Sequence, residues 1–546
     1  MTLQFAASSR RTFLKTATAG AAAAAFAGPF ALAEPRAKWT RWNVTSPQGQ
    51  RALATYKRAV EKMIKLPPDD PHNWFRNAFV HLMDCPHGNW WFYVWHRGYL
   101  ANFEKIIRNV SSDQSFAIPY WDWTALPEIP APMFADALTP RSPAFLPYNK
   151  DLDTFTAYIK APLNKYWDTL NSDQRAQLDK RGYKSFDNLW NDVDGYDPKT
   201  KKVVPGNIGF AANARSRYLT AGNPKLNNRT AFDVSLPTLN FGLAAPDFIS
   251  TAAEMSFNSS QKSSHNDPAG GTGSFFSTLE GLPHNQIHNY IGGVGPWDPG
   301  PYGNMTNFLS PVDPVFFLHH ANIDRLWDVW TRKQMKQGQP YLPTGSDWSS
   351  YKDEPFLFFV SGDRKYLTNG KAEEYVSMAP FDYDYQPGSG EDVIVSAAPP
   401  TLKSAPPIAA TVQANSASLS LPKAALRSHL AQPNVSRLAA LITLPHPAPD
   451  GSEREFDIVV GAPAGITQAD PGSPYYAGTI SFFGNMVSMP EMEMDSTFVV
   501  PLPHNKGLLT SANAAAENVP VSVRVLPSSG KAGSAPVLKS VVVKAR

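Results

Sequence analysis

Apolar residues return every three to four positions over residues 51–66, 89–110 and 314–335, the spacing of amphipathic helices. Residues 153–184 predict one or two more helices. Segment 200–280, rich in Asn, Ser, Gly and Pro, predicts loops. Later in the chain the period shortens. Runs at 441–444, 455–460, 478–483, 498–502, 521–526 and 537–543 alternate with polar turns and predict strands. Their regular spacing suggests an antiparallel β-sandwich of about 120 residues. Between the two patterns, around 386–424, the chain turns to Pro, Ala and Ser and reads as a linker. The expected organisation is a mainly α core over 34–390, a linker over 391–424 and a C-terminal β-sandwich over 425–546.

Residues 1–33 read as a leader. Arg10 and Arg11 precede an Ala- and Gly-rich apolar run that ends in Ala31-Leu32-Ala33, a small-residue cleavage pattern. Paired arginines before a weakly apolar stretch resemble a bacterial twin-arginine export signal. This implies a periplasmic or secreted protein, with a membrane anchor as the alternative. Gly20, Gly28 and Pro29 interrupt the run, and no other segment approaches the ~18 apolar residues that span a bilayer.

Composition then removes whole classes. Of 546 residues, 42% are hydrophobic, and 14 are Trp, which is ample for a core. The formal charge is +3 with no basic block, so nucleic-acid binding has no electrostatic support. Cleavage after Ala33 would remove Arg10, Arg11 and Lys15, taking that charge to zero. A single Cys excludes a disulfide framework and any metal site built on several thiolates.

The 12 His cluster. His81, His87 and His96 form one group. His284 and His288, four apart, share a helical face, and His319-His320 follow. An internal match ranks the last pair. Phe92 precedes His96 by one helical turn, as Phe316 precedes His320, so His320 is the expected ligand and His319 a neighbour or, alternatively, the ligand itself. Two sets of three imidazoles suit Cu, Zn, Fe or Ni and disfavour Mg and Ca.

Three stretches carry a specific resemblance: CPHGNWWFYVWHR (85–97), HNQIHNYIGG (284–293) and DPVFFLHHANIDRLW (313–327). Together they resemble the copper-binding regions of the tyrosinase/polyphenol oxidase family of type 3 copper proteins. The resemblance implies a four-helix bundle holding two copper ions, one on His81, His87 and His96, the other on His284, His288 and His320. It also implies oxidation of phenols by O2: o-hydroxylation of monophenols and oxidation of o-diphenols to o-quinones. Cys85 matches the position of a thioether cross-link to the second His of the first site, here His87. Its other reading is a small buried apolar residue.

A phenol must lose a proton to bind copper. By resemblance, Glu280 and Asn285 hold the water that takes it. The plain readings are a loop charge for Glu280 and a helix-start residue for Asn285. Asn289 is a weaker specificity candidate. Trp90, Trp91, Trp95 and Phe316 line the pocket or simply pack the core. Asp324 is expected in a structural salt bridge, with Arg325 as one partner. Tyr383-Asp384-Tyr385 and Glu455-Phe456-Asp457 resemble elements of plant polyphenol oxidases, with Glu455 standing where those have Lys. The C-terminal domain is expected to cover the copper pocket and keep the enzyme latent, with Tyr475, Tyr476, Phe482 and Phe483 as candidate plugs. Alternatives with the same coppers are a catechol oxidase, an o-aminophenol oxidase and a hemocyanin-like O2-binding protein. The expected partners are small phenols and O2, without nucleic acid or a stable membrane anchor. A homo-oligomer is left open.

Overall fold

The computed structural model describes residues 37–197, 201–203, 217–260, 262, 264–267, 273–293, 303–395, 407–431, 436–447, 452–484, 495–512, 516–531 and 536–545. The leader lies outside the described residues. Among those described, no helix is long and apolar enough to cross a membrane.

The helices that build the core are α1 (Pro47–Lys65), α2 (Trp74–Asp84), α3 (Phe92–Ser111), α4 (Leu152–Asp168), α5 (Ser172–Lys180), α6 (Asn228–Asp233), α7 (Asn285–Gly292) and α8 (Val315–Lys336). Local signals fix their ends. Ser46 caps α1 by accepting from the Gly49 N–H, with Pro47 at the first position and Lys62 and Lys65 in the last turn. Asn73 caps α2 through the N–H groups of Phe75 and Arg76. α3 stops at Ser112, whose φ of 60° is left-handed. Every residue of α2 is buried, as is nearly all of α3, so these two helices form the centre of an aromatic core. Segment 200–280, expected to be loop, holds α6 and a further helix, Leu236–Leu243, where described.

Besides two short two-residue pairs, the strands are β1 (Trp39–Arg41), β2 (Ser274–Phe276), β3 (Tyr383–Tyr385), β4 (Ile408–Ala409), β5 (Thr411–Gln413), β6 (Ser416–Pro422), β7 (Leu438–Pro445), β8 (Glu455–Val460), β9 (Tyr476–Ser481), β10 (Asp495–Pro501), β11 (Asn518–Pro527) and β12 (Ser540–Ala545). Two five-stranded sheets, ordered β9-β8-β11-β6-β5 and β2-β10-β7-β12-β4, share one apolar core. All their pairings are antiparallel except one: the core domain lends β2, which pairs in parallel with β10. Phe276 of β2 stacks on Phe498 with ring centroids 4.9 Å apart, stitching the helical core to the sheets.

The stretch expected as a linker requires correction. Strands β4, β5 and β6 lie within 391–424, so the sheets begin well before residue 425. The period-2 pattern of Ser-Ala-Ser-Leu-Ser-Leu, buried at Ala417, Leu419 and Leu421, is that of a half-buried strand. Its Pro, Ala and Ser composition disguised it.

Asp324 is held in buried salt bridges, as expected, but with other partners. It does not pair with Arg325, which binds Asn322 and the Ser389 carbonyl. Asp324 instead accepts from Arg41 (2.9 Å), Arg97 (2.6 Å), the Tyr383 hydroxyl (2.6 Å) and the Tyr385 hydroxyl (2.7 Å). The two guanidinium groups and two hydroxyls overcome burial and hold its carboxyl below the usual range. This hub joins α3, α8 and the parallel pair β1–β3 one helical turn beyond His320.

Candidate metal centre

Four helices converge on the centre. α2 carries His81, the loop after it His87, and α3 His96. His284 ends a π turn (Glu280–His284) that leads into α7 with His288, while α8 carries His319 and His320. Pro283 lies inside that turn, where its missing N–H helps set the wider winding. The His87 loop needs Gly88. Its φ of 67° is left-handed, and a Cβ there would meet Ser274 at 2.7 Å. Asp84 anchors the same loop by accepting from the Trp95 indole (2.7 Å) and Asn266 (2.8 Å).

The rings meet at close quarters. His96 and His320 stack 4.3 Å apart and 8° from parallel, making the internal Phe-His match a symmetric pair in space. His87 and His284 bring the two groups together at 5.4 Å.

The hydrogen bonds decide which nitrogen is free. Nδ1 of His81, His96 and His288 donates to the carbonyls of Phe308 (2.8 Å), Phe92 (2.7 Å) and Met305 (2.7 Å), and Nδ1 of His284 to Oδ1 of Asn285 (2.9 Å). Each Nε2 is then left with its lone pair. Nε2 of His81, His87, His96 and His284 is buried without a partner, and the Nε2 atoms of His288 and His320 face each other at 3.1 Å. Converging buried lone pairs are costly unless a cation sits among them. Burial, reinforced for several by neighbouring imidazoles, drives all six pKa values down, to about 3 for His96 and His284, so the rings are neutral and able to ligate. This donor set, all imidazole with no carboxylate, fits copper and does not fit Mg or Ca.

His319 differs. Its Nδ1 accepts the Trp123 indole N–H at 3.2 Å, so in the neutral ring the proton sits on Nε2. Cys85 is buried, its Sγ 3.7 Å from Nδ1 of His87 and 3.4 Å from Arg181, and burial pushes its thiol up to about 12.

The other expected residues separate. Glu280 accepts from the Gly88 N–H (2.7 Å) and from the Ser259 hydroxyl, and burial pushes its carboxyl up to about 8. Asn285 spans from His284 to the Ser481 carbonyl (2.8 Å). The Asn285 backbone N–H donates to the Glu280 carbonyl, and among the described residues no hydrogen bond joins their side chains. Asn289 donates to the Phe482 carbonyl at 3.1 Å. Trp95 and Phe316 do pack on the histidines, at 5.0 Å from His96 and 4.2 Å from His320. Trp90 and Trp91 turn away, their indoles bonded to the carbonyls of Ser260 and Tyr351.

Of the four candidate plugs, Phe483 covers the histidines. Its ring lies 4.2 Å from His288, 4.9 Å from His87 and 5.6 Å from His284. Phe308, which the sequence reading did not single out, completes the roof at 5.6 Å from His87 and 5.5 Å from Phe483. Tyr475 and Tyr476 pack with Phe232, and Phe482 lies between the sheets.

Residues 53–333 match the family model of the common central domain of tyrosinase. The chain belongs to the tyrosinase family. All six histidines, His319 and Cys85 fall inside the matched residues, and Phe483 and every strand of the two sheets except β2 lie outside them. Among curated relatives, a chloroplastic polyphenol oxidase of Vitis vinifera is 27% identical over 354 residues, covering 61% of this chain and 45% of that one. Catechol oxidase B of Solanum tuberosum is 23% identical over 350 residues, covering 61% and 47%. The chain thus spans about half the length of the curated relatives it matches. In fold it is similar to a latent aurone synthase (polyphenol oxidase), with a TM-score of 0.53 and 18% identity over 94% of this chain and 90% of that one. That likeness takes in the sheets as well as the tyrosinase core.

Proposed function

We propose that the protein is a copper-dependent phenol oxidase, held latent by its own C-terminal sheets. The observation that carries this reading is the set of buried imidazole lone pairs, aimed at one another by hydrogen bonds to the opposite nitrogen. His81, His87 and His96 would hold one copper, and His284, His288 and His320 the other. Bound there, the two ions would supply one electron each to O2. His320 is preferred over His319 because Trp123 occupies the lone pair of His319. Copper analysis checks the choice: His319→Ala should keep about two coppers per chain, and His320→Ala should fall to about one. The reverse pattern would make His319 the ligand.

The chain's own residues would do the remaining work. Phe308, Phe316 and Trp95 exclude water from the rings. Glu280 ties the loop of His87 to the turn of His284. From there it would take the phenol proton through a water shared with Asn285. Glu280→Gln should cut monophenol hydroxylation at least about tenfold more than catechol oxidation, measured as separate kcat/KM values. Equal losses would reduce Glu280 to an anchor of the loop. The Cys85 sulfur, in contact with the His87 ring, would be joined to a ring carbon as a thioether, the S–H and ring C–H hydrogens passing with two electrons to O2, and the link would fix the ring and keep the sulfur off the metal.

Phe483 occupies the space over His87, His284 and His288 where a phenol ring would lie. In the full chain, Phe483→Ala should raise kcat/KM for a small catechol by about tenfold or more. Unchanged turnover would show that Phe483 does not close the site.

A further inference from the structure

Strand β9, which leads into Phe483, is held by two core helices. α7, which bears His284 and His288, uses neutral amides: Asn285 to the Ser481 carbonyl, Gln286 to Oγ of Ser481 (2.5 Å) and Asn289 to the Phe482 carbonyl. α6 meets β9 and β8 with charge. Asp233 accepts the Thr479 N–H at 3.2 Å through Oδ2, while its Oδ1 is buried without a partner. That oxygen lies 3.1 Å from where a Cβ on Gly478 would stand. Arg229 forks onto both oxygens of Asp457 at 2.9 Å. Glu455, on β8, accepts from Oγ of Ser481 at 3.1 Å.

The charges do not balance. Asp233, Glu455 and Asp457 are all buried at this seam, and Glu453 borders it, bonded to Ser529. Among the described residues Arg229 is the guanidinium that meets Asp457 and Glu455, Lys531 stands near Glu453 at the rim, and Tyr476 bonds Oγ1 of Thr479. Three buried carboxylates against one half-buried cation would leave about two negative charges out of water, which is expensive unless protons fill the deficit. Burial, with repulsion among the carboxylates, holds Asp233 well above its ordinary value and Glu455 up to about 7.

We infer that this seam is a proton-operated latch: docking of β9 takes up protons on Asp233 and Glu455, and rising pH releases the strand together with Phe483. The sign follows from linkage. A carboxyl whose docked pKa is raised costs docking nothing below its free value. The penalty then grows as pH rises and is complete above the docked value, about 7 for Glu455. The inference rests on the reading that Phe483 closes the copper site, and it names what opens it.

Hydrogen–deuterium exchange on the copper-loaded full chain tests it, with intrinsic rates corrected for pH. Protection of the β9 amides of Thr479 and Ser481 should fall about tenfold between about pH 5.5 and about pH 8.5. In Glu455→Gln, and separately in Asp233→Asn, the fall should shrink to about threefold or less. Protection that ignores or rises with pH, or a full fall retained in both variants, would overturn the latch. PH-dependent opening with no gain from Phe483→Ala would leave the latch standing and sink the lid. A gain from Phe483→Ala with pH-independent protection would do the opposite.

Discussion

Everything at the centre depends on which nitrogen of each imidazole is already spoken for. Four of the six rings give their Nδ1 proton to an oxygen held by the fold: the carbonyls of Phe308, Phe92 and Met305, and the amide of Asn285. That contact fixes tautomer, orientation and lone pair together. The same logic sets His319 apart: it groups with His284, His288 and His320, but its Nδ1 accepts from the Trp123 indole. Packing supplies the oxygens. Met305 and Phe308 lie in the segment that leads into α8, and Phe92 opens α3, one turn before His96.

This constraint also couples the centre to the sheets. Asn285 orients His284 with its oxygen and grips β9 with its nitrogen. β2 runs from the wall of the Gly88 loop into the β10 edge of the second sheet. The covering sheets are therefore wired to the metal-holding helices at both ends of the site. A strand that carries Phe483 over three histidines cannot move without disturbing the hydrogen bonds of α7.

Much of this was legible in the sequence because it is local. The i, i+4 spacing of His284 and His288, the repeated Phe one turn before His96 and His320, and the amphipathic period of α1, α3 and α8 each need only a helix to take effect. What stayed hidden depends on distant partners. Asp324 finds Arg41 and Arg97, far away in sequence, and not the adjacent Arg325. Phe483 could not be told from Phe482 until the register of β9 set which ring faces α7 and which faces the sheet core. β4 to β6 were masked by a linker-like composition whose alternation becomes visible only once one face is buried.

The claim that all else rests on is that the centre is built from imidazole nitrogen alone, although Cys85 lies in contact with His87 and groups with His81 and His87. X-ray absorption at the copper K-edge of the copper-loaded full chain reads this directly. The account expects a first shell of nitrogen and oxygen only, with the outer-shell pattern of about three imidazoles per copper. A copper–sulfur shell would contradict it, making Cys85 a ligand and dissolving the two matched sets of three histidines.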